Sequence, residues 1–133
     1  MSAMKSLPEF DTPELAKAVE SLTDEQRDAL SFGAIGLDRD GTVRTYSNKE
    51  RALSGNLKKP VIGKTFFTDI APCMNNGYFL GRIEKARAAG TLDISFTFTG
   101  DYSDRDRELH VRVQSASDGG LWIFMQRPGL SAV

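Results

Sequence analysis

Asp118-Gly119-Gly120 is a turn signal, and the five residues after it, Leu121-Trp122-Ile123-Phe124-Met125, are all apolar. A short apolar run of this kind, bounded by a turn, fits a strand buried on both faces, which places it in the middle of a sheet. Two upstream segments suit its flanks. Leu92, Ile94, Phe96 and Phe98 alternate with Asp93, Ser95, Thr97 and Thr99, and Leu109, Val111 and Val113 repeat the pattern, so each is a strand with one dry and one wet face. The polar run from Asp101 to Glu108 between them is a solvated hairpin loop.

The first half of the chain supplies the remaining elements. Thr12-Pro13-Glu14 predicts an N-cap with proline at the first helical position, starting a helix through Leu15, Val19 and Leu22. Thr23 and Gln26 have the spacing of a capping box, with Asp24 and Glu25 at the positive end of the helix dipole. Residues 1–30 thus form an N-terminal helical cap, residues 31–127 the core, and residues 128–133 a disordered tail. Phe32 to Leu37 and Thr42 to Tyr46 flank the turn Asp38-Arg39-Asp40-Gly41, predicting a β-hairpin. Asp38 and Asp40 resemble the start of a calcium loop, but the other ligands at the required spacing are missing. Residues 47–75 form loop and short helix, broken by Pro60, Gly63 and Pro72. A longer helix from Asn76 carries Phe79, Ile83 and Ala86 on one face and stops at Gly90. The sum is an α+β domain: a PAS-like five-stranded antiparallel sheet with flanking helices and a helical cap.

Composition narrows the function classes. A chain of 133 residues fits one domain, which at that size buries about 70% of its unfolded surface. The 17 Lys and Arg nearly balance the 18 Asp and Glu, so no global field favours nucleic acid or an anionic membrane. No apolar run approaches the ~20 residues that span a bilayer, and the N-terminus lacks a signal-peptide core, so the expected location is cytoplasmic. One histidine and one cysteine leave no multi-histidine or Cys-x-x-Cys metal site and no internal disulfide.

That cysteine, Cys73, ends the segment Val61 to Cys73, downstream of Tyr46, Glu50 and Ser54 spaced by four. If the segment were helical, those three positions would share a face. Taken singly, each has a plainer reading: a buried small hydrophobe for Cys73, a strand-end packing residue for Tyr46, a solvated charge for Glu50. His110 alternates outward with Arg112 and Gln114 and is a surface strand position.

Leu30 to Asp38, Val61-Ile62-Gly63-Lys64-Thr65-Phe66-Phe67-Thr68-Asp69-Ile70-Ala71-Pro72-Cys73 and Leu121 to Arg127 resemble the photoactive yellow protein family, blue-light receptors with a PAS core. The resemblance implies that Cys73 carries 4-hydroxycinnamic acid (p-coumaric acid) as a thioester, with Tyr46 and Glu50 bonding its phenolate end. Thiolate nucleophilicity suits the attachment. A phenol with a pKa near 10 stays ionised in an apolar pocket only with strong donors, which Tyr46 and a protonated Glu50 supply; burial raises a carboxyl pKa toward that form. Ser54 could orient Tyr46 as a neighbouring hydroxyl, where the family usually has threonine. Phe66, Ile70, Ala71 and Tyr102 match pocket positions.

Three positions depart from the family pattern. Asn56 replaces an arginine that covers the pocket, Gly100 a phenylalanine that packs on the chromophore, and Asp104 a methionine linked to fast thermal return. Slow dark recovery is the expectation. The signal would come from trans–cis photoisomerisation, proton transfer from Glu50 and release of the cap, read by an unidentified downstream signalling protein, with the chain a monomer or weak dimer. Two other readings are a PAS-like binding module without a covalent chromophore and, less well supported, a cysteine acyl transferase, for which only His110 could serve as base.

Overall fold

Thr23 opens the second cap helix as its spacing predicts: its hydroxyl accepts from Gln26 N–H while the Gln26 side chain accepts from Thr23 N–H. In the computed structural model, which describes residues 7–54, 60–90, 92–100 and 107–127, this helix is α2, Asp24–Asp28. The first, α1, spans Leu15–Glu20. Thr12 does not cap it. Arg112 Nη1 donates to the carbonyls of Phe10 at 2.6 Å and Thr12 at 2.8 Å, which holds this segment as a turn and delays the helix. Thr12 Oγ1 accepts instead from Glu9 N–H at 2.8 Å.

The five strands are β1 Gly33–Leu37, β2 Val43–Tyr46, β3 Asp93–Thr99, β4 Glu108–Ser115 and β5 Leu121–Gln126. They form one antiparallel sheet in the order β2-β1-β5-β4-β3, so the fully apolar strand is the central one. The β1–β2 turn is the predicted one. Asp38 Oδ1 accepts from the N–H groups of Asp40 and Thr42, and Gly41 adopts φ +87°, a left-handed value that glycine takes without a Cβ penalty.

Burial explains why β5 is apolar at both parities. Leu121, Ile123 and Met125 join Ile35, Leu37, Val111 and Val113 in the main core, roofed by Phe66, Met74, Phe79 and Ile83. Trp122 and Phe124 face the other way, into a second cluster with Phe32 and with Phe10, Leu15, Val19 and Leu30 from the cap. Phe32 meets Phe10 and Phe124 edge-on, with ring centroids 5.8 Å apart in both pairs. The first cap helix buries Leu15, Ala16 and Val19, whereas α2 buries no residue.

Two short helices and a pair of tight turns complete the domain. Helix α3 spans Asn48–Ser54 and α4 Leu80–Ala88. The α4 helix starts after Asn76 because the Asn76 side-chain carbonyl accepts from Tyr78 and Phe79 N–H, turning the chain before the helix begins. Between α3 and α4 lie a π-helical turn, Phe66–Ile70, and a 3₁₀ turn, Pro72–Met74.

Candidate functional site

Tyr46 and Glu50 sit on two elements, not one. Tyr46 is the last residue of β2 and buried, while Glu50 lies in the first turn of α3. The shared helical face expected for residues 46, 50 and 54 therefore holds only for Glu50 and Ser54. Ser47 makes the strand-to-helix switch: its hydroxyl accepts from Ala34 N–H of β1 at 3.1 Å and from Glu50 N–H at 3.3 Å. Asp28 of the cap adds a second hold, accepting from Asn48 N–H at 2.8 Å and from its side-chain amide at 3.0 Å. The helix bearing Glu50 is thus tied directly to the end of α2.

The Glu50 side chain is fully buried and its two carboxylate oxygens each accept from Arg127, at 2.9 Å and 2.9 Å. Two parallel bonds to a guanidinium are the geometry of an ionised carboxylate. Glu50 was expected as a protonated donor; in this arrangement it is an acceptor, with a cation as its partner. A glycine makes room for it. A Cβ on Gly33 would run into Glu50 Oε1, so the carboxylate lies in a space that only glycine leaves open.

Cys73 lies in the 3₁₀ turn and is exposed, while its neighbours Ala71 and Met74 are fully buried. The π turn before it is closed by Ala71 N–H donating to Phe66 O at 2.7 Å, an i to i+5 bond of a kind often found at functional sites. Cys73 borders a cleft of about 500 Å³, walled by Asn76, Tyr78, Arg82, Thr97, Phe98, Thr99 and Gly100. Gly100 thus shares the Cys73 cleft. His110 is not among the lining residues; it is half exposed on β4, with Nε2 3.3 Å from Glu108.

A row of aromatic rings runs from the Cys73 cleft into the core. Phe98 contacts Phe79, Phe79 contacts Phe67 and Phe67 contacts Phe66, all edge-on at centroid distances of 5.2, 5.9 and 4.9 Å. These rings, Tyr46, Ala71 and Met74 belong to one core cluster, with Ile70 packed against it. The cleft lined by Cys73 does not include Tyr46, which lines a separate one with Arg51, Asn48 and Arg27. Arg51 stacks its guanidinium 5.9 Å from the Tyr46 ring. Asn56, Tyr102, Asp104 and the Ser54 side chain lie outside the described residues.

Cys73 is thus a thiol at the lip of a cleft, Tyr46 a phenol in the main apolar cluster, and Glu50 a fully buried carboxyl held by Arg127. Sequence reasoning gave no role to Arg127 or Gly33. Arg127 had a signal, since positions 121, 123, 125 and 127 share the parity that faces the main core. Among the described residues no cluster of His, Cys, Asp and Glu could hold a metal, and no helix is long and apolar enough to cross a membrane.

The family described as PAS fold matches residues 21–128. The photoactive yellow protein of Rhodothalassium salexigens is 38% identical over 119 residues, covering 89% of this chain and 95% of that protein. That of Halochromatium salexigens is 34% identical over the same shares. Among solved structures, the photoactive yellow protein domain of the sensor histidine kinase Ppr from Rhodospirillum centenum superposes with a TM-score of 0.76 at 34% identity, covering 84% of this chain and 99% of that one. The PAS domain of an HTR-like protein from Haloarcula marismortui, 16% identical with a TM-score of 0.54, shares the fold. These similarities span most of the chain, including the hairpin and α3, the segment ending at Cys73 and the central strand, and the protein belongs to the photoactive yellow protein family of PAS-fold photoreceptors.

Proposed function

We propose that this chain is a blue-light receptor carrying 4-hydroxycinnamic acid as a thioester on Cys73. The observation that carries the reading is the placing of one exposed thiol at a cleft beside the core cluster that holds Tyr46. The Cys73 thiolate attacks the carbonyl carbon of an activated 4-hydroxycinnamoyl ester; the S–C bond forms as the leaving group departs with its electron pair. When bound, the group supplies blue-light absorption and trans-to-cis isomerisation.

The protein's part is to hold a phenolate and to move one proton. The Tyr46 hydroxyl would donate one hydrogen bond to the phenolate oxygen and a protonated Glu50 another, bonds of the short, charge-assisted kind. By the family resemblance Ser54 is assigned to supporting Tyr46, and Phe66, Ile70, Ala71, Gly100 and Tyr102 to the pocket wall. After light, Glu50 gives up its proton. Loss of that proton changes the contacts of a buried side chain on the helix tied to the cap through Asp28, and release of the cap is the output that follows. Asn56, Gly100 and Asp104 in place of the family's usual residues give slow dark recovery, and recovery as fast as in methionine-bearing relatives would contradict this. The signal passes to a separate signalling protein; the related domain of the Rhodospirillum centenum protein belongs to a sensor histidine kinase.

The Glu50–Arg127 pair gives a specific reason to weigh a second reading, a PAS-like binding module without a photoactive covalent group. Reconstitution of the chain with activated 4-hydroxycinnamic acid separates them. A visible band that bleaches in blue light and returns in darkness supports the photoreceptor; no band supports the binding module. Turnover of an acyl substrate would support an enzyme instead.

A further inference from the structure

We propose that Arg127 is a built-in counter-ion that gives the Glu50 carboxylate a second station, clasped on the guanidinium whenever Glu50 has no proton. The inference rests on the reading of Glu50 as a proton donor to a bound phenolate. A carboxylate whose two oxygens both accept from Arg127 at 2.9 Å is ionised, so it has no proton to donate. Donor and ion pair are therefore two states of one side chain.

The charges in this interior balance in both states. With a phenolate bound, the phenolate would be the anion, Arg127 the cation and Glu50 neutral. Once the Glu50 O–H bond breaks and the proton passes to the phenolate oxygen, the anion is the Glu50 carboxylate and the cation is still Arg127. Among these three groups one cation serves one anion in both states, and only the proton moves. A buried charge is tolerated when paired and hydrogen-bonded, and the bidentate fork does both. The side chains of Arg127 and Glu50 are 1% and 0% exposed, so water does not screen the pair.

Space for the clasped position is already built. Gly33, at the start of β1, leaves open the volume that Glu50 Oε1 fills. Arg127 follows β5 directly, so the central strand fixes it, and β5 pairs with β1 through Gly33 and Met125. Carboxylate, cation and glycine cradle are thereby set by two hydrogen-bonded strands and the helix that follows the hairpin. The consequence for the cycle is kinetic. A clasped carboxylate regains its proton slowly, so Arg127 is a positioning residue that prolongs the lit state.

Infrared difference spectra of the full chain against Glu50→Gln assign the Glu50 carboxyl band. The chromophore-free protein should show Glu50 ionised, the reconstituted dark protein should show it protonated, and illumination should return it to the ionised form. In Arg127→Gln dark recovery should quicken by about tenfold or more, with Arg127→Lys restoring part of the delay. A protonated Glu50 in the chromophore-free wild type would overturn the proposal whether or not any variant folds. So would an Arg127→Gln protein that recovers at the wild-type rate, which would mark the pair as structural only. Failure to form any visible band would overturn the photoreceptor reading instead, and the chromophore-free spectrum would still decide the ion pair.

Discussion

Arg127 and Glu50 meet through two 2.9 Å hydrogen bonds in the protein interior, although 77 residues separate them in the chain. Removing one partner of such a pair strands the other charge in low dielectric. Arg127→Met in the chromophore-free protein should therefore lose about 3–5 kcal/mol of stability. The double variant Glu50→Gln with Arg127→Met should recover part of that loss, since no lone buried charge remains. Urea unfolding midpoints for the two singles and the double measure the coupling.

Gly33→Ala tests the cradle. The added Cβ has no room beside Glu50 Oε1, so either the carboxylate moves or the hairpin shifts. A destabilisation of about 1–3 kcal/mol is expected in the wild-type background. Much less is expected with Glu50→Ala, where the clashing atoms are gone, and equal losses in both backgrounds would contradict the cradle.

Glu20 couples the cap to acid. Burial pushes its carboxyl pKa up, but the Ser117 backbone N–H, the Trp122 indole N–H and the Ser117 side chain together outweigh this and hold it below its ordinary 4.5, while Asp118 pushes weakly upward. The Ser117 N–H and Trp122 Nε1–H bonds are both 3.0 Å. A carboxyl with a lowered folded pKa stabilises the fold fully above the unfolded value, and that contribution is lost as pH falls below 4.5 through the folded pKa. Trp122 fluorescence in an acid titration should follow this loss, and Glu20→Gln should flatten it.

Asp28 and Asn48 join the cap to the helix that carries Glu50. Light should raise hydrogen exchange across the described part of the cap, residues 7–30, relative to darkness. Asp28→Ala should weaken the link by about 1 kcal/mol and raise exchange in the dark as well. Equal protection of the cap in dark and lit samples would rule out its release.

Much of the fold was legible because it depends on local signals. The two-parity apolar run became the central strand, the Thr23 capping box formed, and Asp38 to Gly41 made the turn. The misplaced helix starts had long-range or side-chain causes: Arg112, a hundred residues on, binds the Thr12 carbonyl, and Asn76 folds back onto the N–H groups of the two residues before α4. Tyr46, Glu50 and Cys73 stood out in the sequence only through family resemblance. Arg127 was not, because its partner lies on another element and only the folded sheet brings them together.

Covalent attachment at Cys73 is the centre of the account, and reconstitution of wild type and Cys73→Ala with activated 4-hydroxycinnamic acid tests it most directly. The account predicts a visible band in the wild type that survives denaturation, bleaches under blue light, recovers slowly in the dark, and is absent from Cys73→Ala. A Cys73→Ala protein that keeps the colour, or a wild type that never acquires it, would contradict it.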